Sequence, residues 1–302
     1  MARFADYLRN IFWVLLLLQL LPVFIKSFKT QYSDLLESKT KVGVISVDGL
    51  IYESDKKVKE LKKFFEDTDI KAIILKIDSP GGSAGGAQAL YNEIKHFKSI
   101  YTNKYVIAYV ENIAASGGYY IASAADYIIA SPGAFIGSIG VYIQHPYFKD
   151  FIEQYKVKYE IIKSGSYKGM GNVFLELTDE QRKLLQGVTN NVHQQFIRDV
   201  SQQRPGLGDV KQWGEAQIFS GEQALKLKLI DALGSQSTVI KALEDNAHIE
   251  GKIDWVKPSK KLGILSTLLG QDSDEDNGSY LHSLVSTVCK VIEERYTSTI
   301  RA

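Results

Sequence analysis

The sequence has one cysteine, Cys289, in 302 residues. An intrachain disulfide and a cysteine-rich metal site are therefore excluded. It has almost no net charge: 36 Lys and Arg against 35 Asp and Glu leave +1, without the basic excess a nucleic-acid partner requires. Five histidines, His96, His145, His193, His248 and His282, show no HExxH or paired spacing and read as surface or core residues rather than ligands. No Gly-Lys-Ser/Thr follows a glycine-rich turn, which excludes a P-loop. Neither metal nor cofactor is expected. What remains is an ordinary globular composition, 45% hydrophobic and 24% charged, with length for one or two domains and a sizeable core.

The N-terminus holds one long apolar run. Residues 11–25 carry no charge; Arg3 and Arg9 precede them, and Lys26 and Lys29 follow. At 1.5 Å per residue such a helix spans about 22 Å, short of a hydrocarbon core of about 30 Å. Snorkelling lysines and Phe28 extend it to a marginal span. Lys26-Ser27-Phe28-Lys29 offers no small-residue cleavage pattern, so an uncleaved membrane anchor is favoured over a signal peptide or a surface helix. Positive charge on both sides leaves its orientation open.

From residue 42 the pattern alternates. Strands are expected at 42–47, 72–77, 105–110 and 127–130, with helices at 54–67, 84–97 and 115–125 between them. Apolar strands alternating with helices predict an α/β fold whose parallel sheet is covered on both faces. A strand at 159–162, a long helix at 176–204 capped near Thr178, and helices at 220–228 and 235–246 follow. The expected organisation is an anchor at 1–30, a linker at 31–41, the main domain at 42–250 and a tail at 251–302. In that tail lie a short apolar stretch at 262–269, an acidic linker at 271–278 and an amphipathic helix at 281–296.

Three glycine-rich spots fall at strand ends: Asp78-Ser79-Pro80-Gly81-Gly82-Ser83, Ser116-Gly117-Gly118 and Gly137-Ser138-Ile139-Gly140. Ligands of α/β sheets bind outside the carboxyl ends of the strands, so the first two spots should share a cleft. Ser116 stands at a strand-to-helix turn. It reads either as a helix cap or as a nucleophile, since the free N–H groups at a helix start favour negative charge. The N–H groups of Gly82 and Gly117 could form an oxyanion hole. No Gly-x-Ser-x-Gly elbow surrounds Ser116, and no histidine offers itself as base. Lys168, in Ser164-Gly165-Ser166-Tyr167-Lys168, reads either as a solvated charge or as a base, which requires that the amine be neutral.

These motifs, in this order and spacing, resemble the bacterial signal peptide peptidase family of the SppA type, in its short single-domain form. Gly221-Glu222-Gln223-Ala224-Leu225 and Leu229-Ile230-Asp231 match downstream, so the resemblance covers residues 42–234. It implies a fold like the Clp protease and crotonase superfamily, a spiral of ββα units. By resemblance Ser116 is the nucleophile, Lys168 the general base, and Gly82 and Gly117 the oxyanion donors. It also implies peptide substrates such as spent signal peptides, contact with membrane lipid through the N-terminal helix, and a homo-oligomeric ring in which each site is completed by a neighbour. The place implied is the bacterial cytoplasmic membrane, single-pass, with the catalytic domain extracytoplasmic. The chain departs from the family pattern at Val173, where proline is common, at Lys228, where glycine is common, and at Gly214-Glu215, where Gly-Arg is common. Proteases of the SohB type or paired with stomatin-like partners are alternatives of the same kind. A crotonase-like acyl-CoA enzyme or an inactive peptide-binding scaffold are alternatives of another.

Overall fold

Strands that are apolar along their whole length need cover on both faces, and the sheet supplies it. The computed structural model describes residues 13, 18–22 and 39–258. The strands are β1 (Thr40–Ile51), β2 (Ile70–Gly82), β3 (Tyr105–Ala115), β4 (Tyr127–Ala130), β5 (Phe135–Gly137), β6 (Ile218–Ser220), β7 (Ala232–Leu233) and β8 (Ile253–Val256). The helices are α1 (Asp55–Glu66), α2 (Ala84–Ile100), α3 (Gly117–Ser123), α4 (Lys149–Gln154), α5 (Asp179–Gln203), α6 (Gly221–Lys226) and α7 (Gln236–Ala247). They form a mixed α/β fold on one eight-stranded sheet, ordered β6-β5-β3-β2-β1-β8, with β4 between β3 and β7. All pairings are parallel except β5 with β6.

Alternate residues of each strand enter different cores, as the two-residue period of a strand dictates. Ile73, Leu75 and Ile77 of β2 and Val106, Ala108 and Val110 of β3 join the main core, with Leu61 and Phe65 of α1 and Leu90, Tyr91 and Ile94 of α2. Ala72, Ile74 and Ile107 face a second core with Val239, Ala242 and Leu243 of α7.

β3 changes partner along its length. Residues Ile107 to Val110 pair with β4, and Ile113 to Ala115 pair with β5. Ser116 follows directly on the second of these pairings.

The central strands run several residues past their sequence-predicted ends, through Gly82 and Ala115. A helix is expected to begin at 115; α3 is shorter, Gly117–Ser123, because the strand continues through Ala115. The strand expected at 159–162 is absent. Those residues form no sheet pairing, and Ile162 is 97% exposed. Its apolar character belongs to a surface. α5 begins where Thr178 accepts from the Gln181 N–H in a capping box. Its C-terminal half buries Phe196 and Val200, whereas Leu184 and Val188 in its first half are exposed. Lys228 has φ +65, a conformation natural to glycine that costs another residue about 1 kcal/mol.

The apolar run at 11–25 lies mostly outside the described residues, as do most of the linker expected at 31–41, whose last two residues belong to β1, the tail segments beyond 258 and Cys289. Among the described residues no helix is long and apolar enough to cross a membrane.

One ion pair, its arginine buried and its aspartate half-buried, ties the end of α5 to the segment before β7. The Arg204 guanidinium donates to both carboxylate oxygens of Asp231 at 2.8 Å and to the Lys228 carbonyl at 3.0 Å. Removing one partner of a buried pair strands the other charge. Arg204→Leu is expected to lower stability by about 3 kcal/mol, read from the shift of a urea unfolding midpoint; a shift worth under about 0.5 kcal/mol would contradict it.

Candidate active site

Two turns at the carboxyl ends of neighbouring strands press against each other. β2 ends in Gly81-Gly82 and β3 runs into Ser116-Gly117. Gly81 has φ +103, and a Cβ there would lie 2.8 Å from both the Gly117 nitrogen and the Ser116 Cβ. A Cβ on Gly82 would meet the Ile51 carbonyl oxygen at 2.3 Å. Both positions are therefore glycine by steric need as well as by conformation.

Ser116 itself has φ +51 and ψ −122, outside the αR, β and αL basins, so the backbone is strained. It is held there by its own N–H, which donates to the Gly137 carbonyl at 2.8 Å, and by its carbonyl, which accepts from the Tyr120 N–H at 2.9 Å. The side chain makes no capping hydrogen bond. Ser116 is thus a cap by position alone, and its hydroxyl does not serve the helix. α3 is only two turns long, so the local environment comes from the packed turns more than from a helix dipole.

The hydroxyl stands at a cleft of about 660 Å³. Gly82 and Ser83 line one side, Ser138 and Gly140 another, and Ala87, Tyr120, Val192 and Phe196 also line it. Gly117 lines it beside Ser116. Ser138 has φ +51, and its N–H donates to the Gln217 carbonyl at 2.7 Å. The third glycine-rich spot, expected only at a strand end, is thus part of the lining of this cleft as well.

Beneath the cleft lies a buried network that the sequence reading missed. Tyr120 stacks on Phe196 at 4.3 Å between ring centroids, and on its other side meets Tyr91 at 4.9 Å. The Tyr120 hydroxyl donates to the Asp199 carboxylate and accepts from the Gln88 amide at 3.3 Å. Tyr91 donates to the Asp199 carbonyl at 3.2 Å, and Arg198 reaches the Asp199 carboxylate at 3.1 Å. Burial, reinforced by the bond to Asp199, pushes the Tyr120 hydroxyl well above the ordinary tyrosine range. Burial also pushes Tyr91 up to about 12, with the Asp199 charge adding to it. Both phenols stay protonated at working pH, so the donors persist. These residues are far apart in sequence and share no local pattern.

Lys168 is elsewhere. It lies in residues 155–178, which contain neither helix nor strand, and its side chain is exposed. It does not line the cleft that Ser116 lines. Within one chain the structure brings Ser116, Gly82 and Gly117 together and leaves Lys168 out. The stretch of chain leading to Lys168 exposes several apolar side chains: Phe148, Phe151, Tyr155, Val157, Ile162 and Tyr167.

Comparison with known proteins follows the same lines. Peptidase family S49 matches residues 98–250. A protein of Synechocystis sp. whose name carries the word protease is 34% identical over 201 residues, which cover 66% of this chain and 72% of that one. Protease 4 of Haemophilus influenzae is 29% identical over 272 residues, 83% of this chain and 43% of its own. An Enterococcus faecium protein named for signal peptide peptidase SppA is 27% identical over 255 residues, 80% of this chain and 74% of its own. Among solved structures, a membrane-bound stomatin-specific protease in complex with a substrate peptide shows a TM-score of 0.49 at 19% identity, covering 77% of this chain and 97% of that one.

The packed glycine turn supplies a direct check. Gly81→Ala places a methyl against Ser116 in a conformation alanine resists, so turnover of an unfolded protein substrate should fall about 100-fold, the scale of a misplacement near 1 Å. Activity within threefold of wild type would show that the contact does not set the site.

Proposed function

The chain belongs to peptidase family S49, and from that premise we propose that this peptidase is a membrane-anchored serine endopeptidase that cleaves signal peptides and other membrane-derived peptides. The single observation that carries the reading is the state of Ser116: strained, uncapped, flanked by glycine turns and facing a cleft. Strain at a non-glycine residue persists where the surrounding structure holds it for function. A fold of the Clp protease and crotonase type fits the repeated strand, turn and helix units of β1 to α3 and the partner change of β3.

In the proposed mechanism, the Ser116 Oγ attacks the scissile carbonyl carbon while its proton passes to the Lys168 Nζ. The carbonyl oxygen becomes an oxyanion held by the N–H groups of Gly82 and Gly117, each such donor being worth about 10²- to 10³-fold in rate. Collapse breaks the C–N bond, and the leaving amine takes the proton back from Lys168. Water then hydrolyses the acyl-enzyme with the same lysine as base.

The base comes from a neighbouring copy. Three features support this: Lys168 is exposed and away from the Ser116 cleft, its segment exposes a run of apolar side chains, and the first half of α5 exposes Leu184 and Val188. Apolar surface of this extent on a soluble face marks an interaction site. Each chain would lend Lys168 to one neighbour and receive one from the other, a heterologous contact that closes as a ring. The ring buries the lysine, and that favours the free amine a base must be. The reading puts an anchor in residues 11–25, in the bacterial cytoplasmic membrane with the domain on the extracytoplasmic side; the uncharged run supports the anchor, and the side follows from the resemblance to signal peptide peptidases.

Ser116→Ala is expected to lower peptide cleavage by several orders of magnitude. Lys168→Ala should do the same. Mixing the two inactive proteins should restore part of the activity, because some sites then pair an intact serine with an intact lysine. Full activity in either single variant, or no rescue from subunits shown to co-assemble, would reject the shared site. For the anchor, protease added to spheroplasts should degrade the domain; protection, or a mature N-terminus beyond residue 30, would count against it.

A further inference from the structure

Ser79 is 0% exposed, and its hydroxyl has two committed partners. It donates to the Gly49 carbonyl at 2.6 Å and accepts from the Gly81 N–H at 3.1 Å. Both partners are irregular points of the sheet. Gly49 has φ +67 and lies in the register shift of β1 between Asp48 and Leu50. Gly81 opens the turn that touches Ser116. The Ser79 backbone is equally close to the other turn: a Cβ on Gly118 would meet the Ser79 carbonyl oxygen at 2.5 Å. One buried side chain thus links the end of β1 to the glycine turn, and its main chain abuts the start of α3.

We infer that Ser79 is a positioning residue for the oxyanion-binding turn, rotating the Gly81 amide inward so that the Gly82 amide is the one of the pair turned to the cleft. The inference rests on the reading of Ser116 as nucleophile. Two adjacent glycines with φ of +103 and +153 have little intrinsic preference for one peptide orientation. A buried acceptor for one N–H selects it, because a buried amide must be paired. Gly81 is absent from the cleft lining and Gly82 is present, as this division requires. The carbonyl of Gly49 fixes the hydroxyl rotor, so the lone pair of Ser79 is aimed at Gly81. Without the hydroxyl, the Gly81 amide would lose its partner, and the turn would gain an alternative with the Gly82 amide turned away from the developing oxyanion. Such an interaction matters in the transition state and hardly at all in substrate binding.

The test uses the full-length protein with Ser79→Ala, Ser79→Cys and Ser79→Thr. In Ser79→Ala, kcat should fall about 10- to 100-fold, somewhat less than loss of a whole oxyanion donor, with KM within about twofold. The rate of labelling by an aryl phosphonate, whose serine adduct carries an oxygen in the oxyanion position, should fall by the same factor as kcat. Affinity for an uncleaved peptide, measured in a Ser116→Ala background, should be unchanged by adding Ser79→Ala. Ser79→Thr, which keeps the hydroxyl, should recover most of kcat if it folds. A folded Ser79→Ala protein with kcat within threefold of wild type overturns the inference. So does a parallel loss of kcat and peptide affinity, and so does failure of Ser79→Ala and Ser79→Cys alike to fold, since each makes Ser79 a residue of general architecture. Phosphonate labelling that persists in Ser116→Ala is a separate signal: it removes the nucleophile reading and the inference with it.

Discussion

The contact between the turn after β2 and the turn after β3 is the constraint on which the site depends. Parallel pairing puts the carboxyl ends of these strands side by side, and Ser79 lies opposite Ala114 in register. Two chains leaving adjacent strands at that spacing have room for backbone but not for side chains. Glycine at 81 and 118 follows from that spacing, whereas Gly82 is required by the approach of Ile51 in β1 and Gly117 by that of Ala87 in α2. The sheet makes the glycines necessary, and the glycines make the backbone amides reachable. Main-chain N–H groups turned into such a cleft are what a reaction that builds negative charge on a carbonyl oxygen would require.

The rest of the fold holds that contact still. Gly137 of β5 accepts from the Ser116 N–H, and β5 is itself held by β6. The aromatic floor is fixed in a similar way. Tyr120 cannot turn without losing Asp199, Gln88 and the stack on Phe196. Asp199 belongs to the buried end of α5, and one turn later Arg204 pins that end to Asp231. The buried C-terminal half of α5 thus serves the cleft, and its exposed N-terminal half is free for another role.

Much of this was legible in the sequence, and the limits have physical causes. Strands 42–47, 72–77 and 105–110 were readable because both of their faces are covered, so the apolar signal has no polar gaps. The glycine spots were readable because glycine has few other reasons to cluster at a strand end. The strand at 159–162 was misread for a related reason: Tyr159, Ile161 and Ile162 have the composition of a buried strand, and a sequence does not say whether the cover for an apolar run comes from its own chain. The Tyr120, Gln88 and Asp199 network was illegible because its members are 32 and 79 residues apart from Tyr120. The role of Gly81 was hidden behind Gly82, since two identical neighbours look interchangeable until φ and contacts separate them.

The distribution of order in the chain has a consequence for control. The cleft at Ser116 is lined from strand ends, helix faces and the segments around Ser138 and Ala216 of the same chain. The Lys168 segment, residues 155–178, contains neither helix nor strand and exposes Tyr155, Val157, Ile162 and Tyr167. On the proposed reading, a lone chain would therefore hold a formed oxyanion site and a serine without a base. A hydroxyl near its ordinary acidity is a poor nucleophile, so the lone chain would be a weak peptidase despite its finished cleft. Assembly would supply the lysine and, by covering apolar surface around it, the low dielectric that keeps it neutral. Both effects arise from one burial event, so they would appear together and scale with the concentration of assembled chain. On the same reading, that coupling would keep catalytic power where the walls of a ring limit what can enter.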